Sequence, residues 1–170
     1  MTGTYIDLEA GIPTQKNAND TSAGASDAGK IVKLDSEGRL NLNMMPSGIA
    51  PDTKDLTASE ALSAGNMINI YNDAGTGKAR KADATAANKF HTVGFVLDSV
   101  SSGQPAKVYF EGVVTGLSGL TIGAKYYLSA TAGAITTTAP SSSGALVQFV
   151  GTAISATELS FEPHQHYILA

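Results

Sequence analysis

The chain contains no cysteine among its 170 residues, which excludes a disulfide framework and any thiolate metal site. Long apolar runs are missing as well. None approaches the roughly 18 residues of a membrane-spanning helix, and Met1-Thr2-Gly3-Thr4 lacks the basic start and apolar stretch of a signal peptide. The expectation is a soluble chain made in the cytoplasm, with no membrane partner. Nor is there a basic surplus: eleven Lys and Arg, scattered along the chain, stand against fifteen Asp and Glu. Binding of DNA or RNA through phosphates is therefore not expected.

What is present is unevenly distributed. Residues 1–60 hold five Lys/Arg and nine Asp/Glu, a balance of −4, whereas residues 61–170 hold six of each. Of eleven aromatic residues, only Tyr5 precedes position 61. Aromatic rings supply much of the area a core buries, so the core is predicted to be C-terminal. The chain then divides into an extended N-terminal arm with a short hairpin, residues 1–50, and a β-barrel or sandwich, residues 51–170. The arm needs other surfaces to order it.

Three short patterns occur twice, in the same order. Leu62-Ser63-Ala64-Gly65-Asn66-Met67-Ile68-Asn69-Ile70 is echoed at an offset of 58 by Leu120-Thr121-Ile122-Gly123-Ala124-Lys125-Tyr126-Tyr127-Leu128. Val93-Gly94-Phe95-Val96-Leu97 returns at an offset of 57 as Val150-Gly151-Thr152-Ala153-Ile154. Val108-Tyr109-Phe110-Glu111-Gly112 returns at an offset of 51 as Leu159-Ser160-Phe161-Glu162-Pro163. One small β unit used twice is the reading this order supports, against chance similarity of short β segments.

Along the arm, Thr4-Tyr5-Ile6-Asp7-Leu8 alternates enough to add as an edge strand to a partner, with another subunit as the candidate. Residues 13–29 carry almost no large apolar side chain and read as a linker or partner-ordered segment. Gly29 to Leu34 is a short β run, Asp35–Gly38 a turn, and a second run begins at Arg39. Met44-Met45-Pro46-Ser47-Gly48-Ile49 closes this hairpin.

Beyond Thr57, Ser59-Glu60-Ala61-Leu62 reads as a helical turn stopped by Gly65. The predicted strands are then 67–71, 78–82, 90–100, 107–114, 125–129, 134–138, 145–154, 158–161 and 164–169. Short strands with turns about every 8–12 residues and almost no helical period predict an all-β fold. A small barrel or sandwich, β-clip-like forms included, is expected from two related β units.

Candidate chemistry is sparse. Asp73-Ala74-Gly75-Thr76-Gly77-Lys78 is rich in glycine, but its spacing is wrong for a phosphate loop and a strand follows it, so a hairpin turn is predicted. His164-Gln165-His166 would place two imidazoles on one strand face, and a threefold axis would gather six nitrogens about a metal. Without such an axis there are two ligands, too few for a tight site. No metal is expected, and two surface histidines near a terminus is the plainer account. Glu111 and Glu162 occupy matching repeat positions, which reflects equivalent turns better than a paired-carboxylate site. Arg80 and Lys81, with Lys78, form a small basic patch: either an interface anchor at Arg80 or, as is commoner, a solvated edge guarding against strand pairing. Neither the serines nor His91, His164 and His166 sit in a nucleophile context. No enzyme and no cofactor is expected.

Two stretches resemble structural proteins of tailed bacteriophages. Gly29-Lys30-Ile31-Val32-Lys33-Leu34-Asp35, through Gly38-Arg39-Leu40 to Met45-Pro46-Ser47-Gly48-Ile49, resembles a short module of phage fibres and head decorations, with Met45 where Leu is usual. Residues 57–169 resemble a family of phage capsid decoration (cement) and head-fibre proteins. The matching stretches are Ala58–Gly65, Arg80–Ala84 and, most specifically, Gly116-Leu117-Ser118-Gly119-Leu120-Thr121-Ile122-Gly123-Ala124-Lys125-Tyr126-Tyr127-Leu128-Ser129. The resemblance implies a β domain, commonly trimeric, standing on the outer surface of an icosahedral head. It also implies an arm clipped onto the major capsid protein. On that basis Tyr5, Ile6, Leu8, Ile31, Val32 and Leu34 are the expected capsid- and subunit-facing anchors. The alternative is a fibre or receptor-binding module attached to head or tail, which exposed aromatic loops at Tyr126 and Tyr127 would favour.

Overall fold

A computed structural model of the chain describes residues 3–36, 38–45 and 51–170. Among them there is no α-helix, only strands and three short 3-10 turns. The chain divides into two compact units, Met1–Ala50 and Pro51–Ala170.

In the first unit, β1 (Thr4–Glu9) and β2 (Ile12–Asn17) form an antiparallel hairpin, with Glu9 opposite Ile12. Its two-residue turn holds Ala10 at φ 51° and Gly11 at φ 83°, the positive pair that lets a tight turn follow the strand twist. Beyond the hairpin, Asn19 forms an isolated parallel bridge with Val32. The Asn43 side chain ties back to the Ser22 backbone at 3.1 Å through both its amide groups. Asp27 accepts from the Ala23 amide at 2.5 Å, which with Lys30 holds its carboxyl below the usual carboxylate range. No residue of this unit whose exposure is described is buried.

The second unit carries the core. Strands β3 (Thr53–Ala58), β4 (Met67–Asp73), β5 (Thr76–Lys81), β6 (Gly94–Phe95) and β7 (Pro105–Tyr109) close a barrel in the order β3-β5-β4-β6-β7. β8 (Gly112–Val114), β9 (Lys125–Leu128), β10 (Ile135–Thr136), β12 (Phe149–Ala153) and β13 (Leu159–Phe161) make an open sheet in the order β10-β9-β12-β13-β8. β11 (Leu146–Val147) pairs separately with β14 (Tyr167–Ile168). Small apolar side chains, among them Ala58, Ile68, Ala79, Val96, Ala106 and Val108, fill the narrow barrel. Met67 and Phe95 point outward from it and pack with Val114, Leu128, Val150, Leu159 and Phe161 of the open sheet. Phe95 meets the Phe161 ring edge-on at 5.2 Å, joining the two halves. Each such large side chain contributes about 1.5–3 kcal/mol over its exposed state.

The repeat seen in the sequence is a repeat in register. Met67 pairs with Phe95 and Phe95 with Tyr109; at the repeat offsets, Lys125 pairs with Thr152 and Thr152 with Ser160. Gly65 donates to the Val96 carbonyl at 2.8 Å, and Gly123 donates to Ala153 at 2.8 Å. Both glycines sit in the left-handed region, at φ 79° and 78°. The strand order is also the same, since β5-β4-β6-β7-β3 corresponds to β10-β9-β12-β13-β8. The halves differ in closure. After pairing with β7, β3 reaches β5 in parallel through Thr57 and Ala58, whereas β8 is three residues long and pairs only with β13.

Several expected elements are placed differently. Residues 13–17 are strand, not linker, because the Ala10-Gly11 turn folds them onto β1. The hairpin expected at 29–49 is a single bridge and a turn, in which Asp35 donates to the Arg39 carbonyl at 2.8 Å. Its Pro46–Ile49 end, with Glu37, lies outside the described residues. Residues 59–62 are not helical, and Leu62 bridges to Val100. Only Gly94–Phe95 of 90–100 is strand, and 107–114 breaks into β7 and β8, which serve different sheets.

Candidate functional site

The first unit's chemistry is one of surfaces. Register sorts the hairpin into two faces: Ile6, Leu8, Pro13 and Gln15 share one, while Tyr5, Asp7, Glu9, Ile12 and Lys16 share the other. Lys16 pairs with Asp7 at 3.1 Å and with Glu9 across that second face. The lysine's hydrogen bond lowers the Asp7 carboxyl, and the bond to Glu9 raises Lys16. Ile6 and Leu8 are 67% and 70% exposed. Tyr5 therefore does not stand with Ile6 and Leu8; it lies half-buried on the charged face. Ile31, Val32 and Leu34 are exposed on their bridge segment. Two further exposed apolar residues, Ile12 and Leu40, were not among the expected anchors. For Ile12 the available signal was its place directly after the Ala10-Gly11 turn.

In the second unit the basic patch becomes an internal brace. Arg80 lies on β5, which is paired on both sides within the barrel, so it guards no edge. Its Nε donates to Asn69 Oδ1 at 2.8 Å, its guanidinium reaches the Asn88 carbonyl, and it lies 4.1 Å over the Tyr71 ring. Asn69 is buried and passes the chain of bonds on to the Phe90 and His91 carbonyls at 2.8 and 3.2 Å. Lys78 pairs instead with Asp73 at 2.5 Å, which raises its pKa. The Ala74-Gly75 turn, with Asn72 Oδ1 accepting from Gly75, joins two strands, as a hairpin does and a phosphate loop does not.

His164 and His166 precede the two-residue β14 and do not share a strand face. His164 packs against the Phe149 ring at 4.6 Å. His166 stacks on His91 at 5.1 Å with the rings parallel. No cluster of three or more metal-ligating side chains occurs among the described residues. Glu111 and Glu162 are both exposed at the ends of equivalent strands, and Glu162 accepts from the Ser160 hydroxyl at 3.1 Å. Tyr126 is buried, its hydroxyl accepting from the Thr121 amide at 3.0 Å, and Tyr127 packs edge-on against Phe149. No helix among the described residues is long and apolar enough to cross a membrane.

The His91–His166 stack sets a pH dependence. Burial, and then the neighbouring His166, pushes His91 below the ordinary imidazole range. The unfolded chain therefore takes up the proton first as pH falls. Stability is fully present above the unfolded value of about 6.5 and is lost as pH drops through the lowered folded value. His91→Asn, a residue that tolerates the left-handed φ of 52° at this site, is expected to lose less stability than the parent between pH 7.5 and 5. Equal losses in urea melts would refute the assignment.

No family model matches the chain, and no curated protein sequence matches it.

Proposed function

We propose that the protein is a tailed-bacteriophage capsid decoration (cement) protein, held on the outer face of the icosahedral head. The observation that carries this reading is the contrast between the two units. Pro51–Ala170 buries its own core, whereas in Met1–Ala50 no residue whose exposure is described is buried, and Ile6, Leu8, Ile31, Val32 and Leu34 are displayed. Exposed apolar groups at this density need another surface to cover them. The major capsid protein and adjacent copies are the proposed partners, engaged partly by strand addition. Trimers of the second unit would then sit over junctions between capsomers, where symmetry repeats each modest contact many times. The resemblance of Gly116–Ser129 to phage virion proteins supports the same reading. Burial of Tyr126 removes one of the exposed aromatics that a receptor-binding module would use.

Removal of residues 1–28 is expected to abolish cosedimentation with empty expanded capsids. The full chain should saturate them at a fixed stoichiometry, as particles three times 17.4 kDa in mass. Undiminished binding by a truncation that keeps its β circular dichroism would overturn the arm's role.

A further inference from the structure

We infer that the unclosed edge of the second repeat is a strand-acceptor site, filled by strand β1 of a second copy of this chain. The barrel shows what the edge lacks. There β3 seals β5 by pairing Thr57 with Lys78 and Ala58 with Ala79. The seal continues with Ser59 donating to the Ala79 carbonyl at 2.9 Å and the Glu60 carboxylate accepting from the Lys81 amide at 3.1 Å.

The counterparts of Ala79 and Lys81 are Ile135 and Thr137, since Ile70 pairs with Ala79 as Leu128 pairs with Ile135. Ser129 donates to the Ala134 carbonyl at 3.0 Å, so by antiparallel alternation the amide and carbonyl of Ile135 and Thr137 point away from β9. β10 is the edge of its sheet, and no described residue pairs with these groups.

The segment that would close the edge turns aside. Gly116 and Gly119, at φ 78° and 68°, divert the chain, and Leu117 and Leu120 donate to the Thr157 and Ala156 carbonyls instead. Between residues 116–121 and 133–137 this leaves a cleft of about 590 Å³, with Tyr126 and Asn66 in its lining. Its position is that of the missing closing strand.

β1 matches the vacancy. It has six residues, as β3 has, and pairs on one side only. Its Ile6 and Leu8 alternate as Leu56 and Ala58 do on β3, and nothing in its own unit covers them. No charged side chain lines the cleft, which suits the apolar Ile6 and Leu8, while Asp7 and Glu9 stay paired with Lys16 on the other face of β1. Donor and acceptor are different surfaces of one chain, so the contact is heterologous and joins copies head to tail, in a ring where the rotation between copies closes and in an open chain where it does not. This association requires no capsid.

Amide hydrogen exchange on the full chain, followed by NMR with light scattering over a concentration series, tests the site. Exchange at Ile135 and Thr137 is expected to slow at least tenfold as mass rises. The Thr136 amide, directed at β9, should stay unchanged. The Ile6→Lys/Leu8→Lys variant should abolish both the slowing and the mass increase, while protection at Thr136 reports that the second unit remains folded. Overturning results are a chain that stays monomeric with both amides fast, association that leaves them fast, protection independent of concentration, or slowing that survives the double substitution.

Discussion

Gly151→Ala is expected to destabilise the Pro51–Ala170 unit by about 3 kcal/mol or more. A Cβ built at Gly151 lies 2.0 Å from the Ser160 carbonyl oxygen and 3.2 Å from Leu159 Cδ2. The first of these neighbours is backbone, held in the ladder between β12 and β13, where Thr152 pairs with Ser160. It cannot swing away as a side chain would. Relief requires the strands to separate, and each ladder hydrogen bond given up costs about 1 kcal/mol. Its counterpart Gly94 faces the Tyr109 carbonyl at 2.5 Å and Val108 Cγ1 at 2.8 Å, so Gly94→Ala is expected to be severe but milder. Gly77→Ala, whose Cβ would meet side chains at 3.9 Å, is the control and should fall within about 0.5 kcal/mol of the parent. In thermal melts the Gly151 substitution corresponds to a loss of roughly 10 °C or more. A Gly151→Ala protein within about 1 kcal/mol of the parent would contradict the Thr152–Ser160 register.

The second large effect is expected at Gln148, where the two halves exchange buried hydrogen bonds. Its Oε1 accepts from the Thr92 amide at 2.8 Å, and its Nε2 donates to the Thr92 carbonyl at 3.0 Å and to the His164 carbonyl at 3.4 Å. Thr92 and Gln148 are 2% and 4% exposed, so water does not replace a lost partner. Gln148→Ala leaves the buried Thr92 amide and carbonyl without this partner and is expected to cost about 2–4 kcal/mol. Gln148→Glu separates polarity from packing. It keeps the shape and the acceptor for the Thr92 amide, but sets a carboxylate oxygen against two carbonyls. Burial and that repulsion raise the folded pKa of the new carboxyl. Its native form then holds a proton that the unfolded chain releases at about 4.3. The deficit of Gln148→Glu should be largest at neutral pH and should shrink as pH falls through the raised folded value. This runs opposite to the His91 dependence. Urea melts of both variants from pH 7.5 to 5 decide it; a pH-independent deficit would show that the carboxyl reaches solvent.

Glycine made the duplication legible. Gly94 and Gly151 mark places where a neighbouring strand's carbonyl leaves no room for a Cβ, and Gly65 and Gly123 mark matching left-handed turns. A steric demand of that kind is written in the residue itself. The closing strand β3 was not legible, because Lys54 and Asp55 interrupt its apolar pattern and only Leu56 and Ala58 mark an inward face. The β1–β2 hairpin was obscured by Pro13 and by the polar run that follows it, although Ala10-Gly11 held the turn. Arg80 read as a solvated or interfacial cation because its partners, Asn69, Tyr71 and the Asn88 carbonyl, meet it only after β4 pairs with β5.

By itself the amino-acid sequence determined the all-β class, the C-terminal position of the core and the use of one β unit twice. Strand period, aromatic placement and glycine sterics are properties of neighbouring residues, readable without a fold. Only the tertiary structure decided that one copy of the unit closes into a barrel while the other stays open beside β10. It also decided that Tyr5 parts from Ile6 and Leu8, and that His166 stacks on His91 and not beside His164. Each of these depends on which strand lies next to which, and such pairing is set by closure and packing between residues far apart in the chain, not by any local pattern.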